Sequence, residues 1–261
     1  WGGGGEALLN MRLPGMTKFG VDLGMECSII TNGPLLTNEL IDELLLCRWV
    51  GISLDSAKPE VYRYVRGSDD CLKVLGNISR LVAMKAEKRA KTDIAIKVLV
   101  LPETTDTILY TCQVARDLGV QDFHVRPVDL ERKDFKMAQK LNLDMAKIQG
   151  IFEECHKLET PDFHVYTVTH KYDDCFHVKH DFKKCLASAL VAQICTDKRM
   201  YVCVDHRLEP RFEIFEWGST GHRALLEGIN PALECARCTW AEYQRQIEDV
   251  VLNDRMCLNF P

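Results

Sequence analysis

The chain has 261 residues, 46% of them hydrophobic and 27% charged, the balance of a globular protein and not of a disordered one. Lys+Arg 33 against Asp+Glu 38 leaves a formal net charge of −5, so no basic field points to nucleic acid. No stretch of about 18 uncharged apolar residues is present to span a membrane, and no secretory signal opens the chain; a cytoplasmic protein working away from membranes is expected.

From about residue 20 to 128, short β-like runs alternate with amphipathic helices. Cys27 to Thr31 reads as a strand ended by the Asn32-Gly33 turn signal. Thr37 is placed to cap a helix whose Leu40, Ile41, Leu44 and Leu45 share a face. Trp49 to Asp55 is a second strand. A helix follows from Cys71, with Leu72, Leu75, Ile78 and Val82 expected inward and a cationic tail of Lys85, Lys88 and Arg89 suited to its C-terminus. Ile94 to Leu101 is an apolar strand apart from Lys97. Asp106 is expected to cap a helix with Ile108, Leu109, Cys112 and Ala115 inward and Gly119 as its stop. Phe123 to Val128 is a further strand. Such alternation specifies a parallel sheet or barrel, and ligands of these folds bind at the C-terminal ends of the strands. Polar residues recur there: Thr31-Asn32-Gly33, Ser53 and Asp55, Lys97 to Glu103, and Arg126. Any one of them reads as a strand cap; together they indicate a ligand site.

Twelve cysteines are too many for ordinary use, and the chain is too long for a small disulfide scaffold. Cys27, Cys47, Cys71 and Cys112 read as structural, since a buried thiol behaves as a small hydrophobe. The other eight lie between 155 and 257, where seven of the eight histidines also fall, so a metal centre is expected in the C-terminal part. Cys175, His177 and His180 read either as a separate zinc site or as a His-rich surface loop.

Gly3-Gly4-Gly5-Glu6 with Leu8-Leu9 resembles the glycine-glycine-glutamate motif of radical S-adenosylmethionine (SAM) enzymes. Thr31-Asn32-Gly33, Ile52-Ser53-Leu54-Asp55 and Val65-Arg66-Gly67 follow in that family's order, so the resemblance covers roughly residues 2 to 128. It implies an α/β fold: a partial (β/α)6 TIM-like barrel over 1–160, lacking its first strand and helix, and a small α+β auxiliary-cluster domain over 161–261. It implies that Gly3, Gly4, Gly5 and Glu6 engage the methionine amino group, Glu6 answering that cation with a carboxylate. Ser53 and Asp55 would meet the ribose hydroxyls or the methionyl end. Arg66 would meet the SAM carboxylate, with a surface salt bridge as the alternative. Ala7 stands where the family usually has proline. The family's cysteine triplet, spaced three and then two residues apart, holds the catalytic [4Fe–4S] cluster; no such triplet occurs in these residues. Since Trp1 is also an unusual first residue, an upstream segment is expected to supply it.

Cys185 and Cys203, followed by Cys235-Ala236-Arg237-Cys238, resemble the auxiliary-cluster region of the twitch or SPASM type, with Lys198 where its hairpin usually has glycine. Four thiolates suit one auxiliary [4Fe–4S] cluster, and the same spacing permits a four-cysteine zinc site. In the final helix, Trp240, Tyr243, Ile247 and Val250 form an apolar stripe expected to pack inward. The resemblance implies an oxidoreductase- or isomerase-type enzyme that reductively cleaves SAM to a 5′-deoxyadenosyl radical. That radical would abstract hydrogen from a small-molecule or natural-product substrate, with flavodoxin or ferredoxin as reductant. A peptide-modifying maturase and a non-catalytic zinc-binding protein are the alternatives.

Overall fold

The computed structural model describes residues 1–2, 5–128, 141–168, 182–189, 191, 193–216, 229–235, 238 and 240–251. They divide into two compact units, one of residues up to 168 and one of residues from 182 onward.

The first unit is built on five strands: β1 (Ser28–Thr31), β2 (Trp49–Ser53), β3 (Asp93–Val100), β4 (Asp122–Pro127) and β5 (His164–Thr167). They pair in sequence order, every pair parallel, as the alternating pattern requires. Helices α1 (Leu13–Asp22), α2 (Asn38–Leu44), α3 (Pro59–Arg66), α4 (Cys71–Lys88), α5 (Pro102–Thr105), α6 (Ile108–Leu118) and α7 (Met145–His156) connect and flank them. Ile29, Val50, Ile52, Ile94, Ile96, Val98, Phe123, Val125 and Val165 point one way from the strands. They form a single buried core with helical residues such as Ile41, Val74, Ile78, Ile108 and Phe152. The residues between them face the other way. The parallel register aligns Ser53 with Lys97, Lys97 with His124 and His124 with Tyr166. That second face is polar and partly open, whereas parallel sheets are ordinarily covered on both sides.

Several helical details depart from the pattern reading. In α4 Cys71, Val74, Ile78 and Leu81 are buried and the expected Leu75 and Val82 pack partly buried against the same core, while Leu72 is 70% exposed. The face is turned because Cys71 begins the helix already buried, its thiol donating to Ser56 O at 3.7 Å. Asp106 does not cap α6: it terminates the short α5 and pairs with Lys147 at 2.5 Å, and α6 starts after Thr107. Thr37 caps α2 as expected, accepting from Leu40 N at 3.3 Å. The sheet runs on past residue 160 through β5, which the sequence reading passed over together with α1, α3 and α7. The signals for α7 are Asp144, whose carboxylate accepts from Lys147 N at 3.0 Å, and the spacing of Ile148, Phe152 and Cys155.

The second unit holds a three-stranded antiparallel sheet of β6 (Gln193–Ile194), β7 (Arg199–Tyr201) and β8 (Glu213–Glu216), with Val202, Phe212 and Ile214 as its core. Lys198 adopts φ 64° and closes the β6–β7 hairpin, donating its N–H to Cys195 O at 3.0 Å. A side-chain-bearing residue thus takes the left-handed turn position usually given to glycine. In α8 (Ala241–Val251) the expected stripe is not the buried face, since Tyr243 is 58% and Val250 61% exposed; Ala241 and Gln244 are buried instead. Among the described residues, no helix is long and apolar enough to cross a membrane.

Gly51 lies under the Trp49 indole on the open face, where an added Cβ would collide with the ring. Gly51→Ala is therefore expected to cost about 1–3 kcal/mol by overpacking and to shift the tryptophan emission. Denaturant unfolding followed by fluorescence checks both.

Candidate functional site

At the C-terminal rim of β1–β3 a belt of hydrogen bonds joins separate elements. Glu6, at the entry to a short 3-10 turn, accepts from Leu8 N at 2.9 Å and from the Thr31 hydroxyl at 2.7 Å through Oε1. Its Oε2 accepts from Asn32 N at 2.6 Å. Arg66, at the end of α3, donates from Nη1 to Asn32 Oδ1 at 2.9 Å and pairs through Nε with Asp55 Oδ2 at 2.8 Å. Asp55 Oδ1 accepts from Leu99 N at 2.9 Å. Asp55 takes φ 62° and is 3% exposed, and burial pushes its carboxyl upward against the opposing pull of Arg66 and the Leu99 amide. Glu6, Asn32, Ser53, Asp55 and Arg66, with Gly5 at φ 129°, line one cleft of about 430 Å³. The cleft extends to Lys97 and Arg126.

Lys97 sits on the open face of β3 with its ammonium 5.3 Å from the centre of the Trp49 ring. Burial, reinforced by the Arg126 cation, brings it down from 10.5 to about 8. His124, beside it on β4, is held down at about 4 by burial and then by the Lys97 and Arg126 charges. It is therefore neutral at pH 7, free to donate or accept without adding charge.

In the second unit, Cys185, Cys203, Cys235 and Cys238 line a single small pocket with Val202 and Trp240. Asn230 Oδ1 accepts from Cys185 N at 3.1 Å. The fully buried Gln244 accepts from Leu186 N at 2.7 Å and Ala187 N at 3.0 Å, and donates to Lys184 O at 3.0 Å. Two amide side chains thus hold the Cys185 segment. Cys203 Sγ accepts from Asp205 N at 3.4 Å, which orients that thiol. Buried His206 lies 3.1 Å from Cys235 Sγ through Nε2 and 3.2 Å from Glu209 Oε1 through Nδ1. Burial and the neighbouring thiols raise Cys235 to about 12 and Cys238 to about 11, so a cationic centre would bind here with proton release. Among the described residues, no three His, Cys, Asp or Glu side chains are set to hold one metal ion as they stand.

A curated AdoMet-dependent heme synthase of Methanosarcina barkeri is 26% identical over 124 residues, 47% of this chain and 34% of that protein. Streptococcus suis SuiB aligns with a TM-score of 0.58 at 11% identity, over 79% of this chain and 50% of SuiB. The structure of SuiB bound to S-adenosylmethionine aligns with a TM-score of 0.55 at 10% identity, over 80% of this chain and 50% of that one. The fold is that of the radical SAM enzymes. Both the curated relative and the solved neighbours support the resemblance first carried by the glycine motif. The chain spans about a third of the curated relative's length and half of SuiB's, and no protein-family model matches it.

Within this radical SAM fold, the residues singled out from sequence distribute as follows. Gly5, Glu6, Ser53, Asp55 and Arg66 come together in the cleft, while Gly3 and Gly4 lie outside the described residues. Arg66 is committed to Asp55 and Asn32. The four cysteines share one pocket; Ala236 and Arg237 between the last two, and Cys175, His177 and His180, lie outside the described residues. Sequence reasoning missed His206, Gln244, Trp49 and His124. The signal for His124 and Trp49 was the polar, small and aromatic residues alternating with Val and Ile in β2 and β4.

Two expected outcomes follow. Because Lys97 titrates near 8 folded and near 10.5 unfolded, below pH 8 its charge is retained where it is costly, and stability rises as pH climbs between those values. Lys97→Met should stabilise the protein by about 1–3 kcal/mol at pH 7, an advantage that shrinks by pH 9.5 in denaturant titrations. Gln244→Leu should destabilise the second unit by about 2–4 kcal/mol, stranding backbone groups of the Cys185 segment; hydrogen exchange at residues 184–187 reports the opening.

Proposed function

We propose that this chain belongs to a radical SAM enzyme, that its first unit binds SAM in the 430 Å³ cleft, and that its second unit holds one auxiliary [4Fe–4S] cluster on Cys185, Cys203, Cys235 and Cys238. The observation that carries the reading is the Glu6 carboxylate. Three donors from Leu8, Thr31 and Asn32 fix it at the rim, so it meets the methionine ammonium already oriented. Ser53, on the cleft wall, suits a ribose hydroxyl or the methionyl end. Asp55 stabilises Arg66, and Arg66 offers the cleft a cation for the SAM carboxylate. The catalytic [4Fe–4S] cluster takes its ligands from outside these residues. When bound, SAM and a reduced cluster supply the means of taking a hydrogen atom from substrate. The chain's own residues bind, orient and exclude water. The four thiols fit an iron–sulfur group by donor type, and His206, 3.1 Å from Cys235 Sγ, supplies the outer-sphere contact that tunes such sites.

No further closely spaced cysteines of the longer SPASM type stand between Cys238 and Cys257, which favours a small metabolite or natural-product intermediate as substrate, with a flavodoxin or ferredoxin as electron source. A peptide substrate is the second reading, prompted by SuiB, whose structure bound to its precursor peptide SuiA aligns with a TM-score of 0.53.

Glu6→Gln should weaken SAM binding by about 10–100-fold through loss of a charge-assisted contact, measured by equilibrium dialysis; unchanged affinity would overturn the SAM site. Anaerobically reconstituted chain should carry four irons and four sulfides, with visible charge-transfer absorbance lost in Cys235→Ser. One zinc per chain without that absorbance would establish the four-cysteine zinc alternative.

A further inference from the structure

We propose that Lys97 and Arg126 form an anion-recognition site on the open face of the sheet, and that the substrate enters carrying a carboxylate or phosphate group. The inference rests on the SAM-binding reading for there being a substrate at all, and adds its chemical class.

Both residues line the cleft. The register sets Lys97 opposite His124 and Leu99 opposite Arg126, so the two cations stand on neighbouring strands two register positions apart. Neither has a carboxylate partner among the described residues. The nearby acids are engaged elsewhere: Glu6 by Leu8, Thr31 and Asn32, Asp55 by Arg66 and Leu99. Asp122 is turned to His164, at 3.7 Å, and to the Trp49 indole. Trp49 packs along Lys97 and stabilises its charge through the ring face, which fixes the ammonium without neutralising it. His124, opposite Lys97 on β4, stays neutral, with its Nε2 4.0 Å from Asp122. Holding a half-buried lysine charged and unpaired costs stability, and a ligand anion removes that cost.

SAM does not balance this surplus. It brings a sulfonium and an ammonium cation against one carboxylate, and Glu6 answers only the ammonium. With SAM in place the cleft still holds excess positive charge, and electrostatic complementarity selects an anionic second ligand.

The one competing source of the anion is the SAM carboxylate itself, and the experiment separates the two. The full chain is reductively ¹³C-methylated, and the Lys97 resonance is identified as the one missing in Lys97→Met. With SAM saturating, titration with inorganic phosphate and with succinate is expected to move that resonance saturably and to raise its titration midpoint. Arg126→Gln should weaken this anion binding at least tenfold, while SAM affinity in Lys97→Met falls less than threefold. Two results would overturn the proposal. One is that neither anion moves the resonance. The other is that SAM alone moves it and Lys97→Met weakens SAM tenfold, which assigns the lysine to the SAM carboxylate. Failure of the SAM reading shows separately, as Glu6→Gln without effect on SAM. The anion titration repeated without SAM still decides for or against the Lys97–Arg126 site in that case.

Discussion

The hydrogen-bonded belt from Glu6 through Thr31 and Asn32 to Arg66, Asp55 and the Leu99 amide holds the rim of the cleft in place. Hydrophobic burial fixes the strands in register, but it does not fix where the loops beyond their C-terminal ends point, because those loops leave the core. The belt does this. It ties the end of β1 to the end of α3, α3 to the residues after β2, and β2 to β3. Each link pairs a charged group with a neutral polar group or an opposite charge, and the buried Arg66 Nε is met by the Asp55 carboxylate as an ion pair and not by a hydrogen bond. Asp55 at φ 62° shows the cost: a non-glycine residue is kept in the left-handed region because both of its carboxylate oxygens are needed there.

Above the belt, the sheet divides its side chains between two environments. Val, Ile and Phe residues on one face are sealed by helices, and their near-complete burial supplies the driving force for the unit. The other face is released from that duty, and it carries Ser53, Lys97, His124 and Arg126. Trp49 lies over Gly51 and covers apolar area that this face would otherwise expose. Lys97 belongs to the functional side of this division: burial depresses its titration, so it weakens the fold at neutral pH.

The parallel sheet and the strand-end residues were legible because β-branched runs and turn signals alternate cleanly up to residue 128. Leu72 misled because helical spacing alone does not set phase: Cys71, a weak hydrophobic signal, anchors α4 through Ser56 O. Asp106 misled because the capping pattern does not distinguish the end of a one-turn helix from the start of the next. The four cysteines singled out by resemblance line one pocket. Gln244 was not legible, since nothing local marks a glutamine as the residue that satisfies three backbone groups some sixty positions earlier.

The second unit shows the same logic with less hydrophobic material. Its core is small, with Val202, Phe212 and Ile214 at the centre, so polar clamps do more of the positioning. Asn230 and Gln244 hold the Cys185 segment, the Asp205 amide orients Cys203, and His206, bonded to Glu209 through Nδ1, reaches Cys235. In this apolar pocket Cys203, Cys235 and Cys238 resist ionisation, raised first by burial and further by neighbouring thiols. A disulfide pair would need no such array of clamps, and a purely apolar core would have no use for them. Prepositioned, protonated thiols beside a histidine are high in free energy until a cationic centre displaces their protons. Under the proposed cluster reading, the unit would reach its full stability only with that centre in place, the clamps keeping its thiols assembled until then.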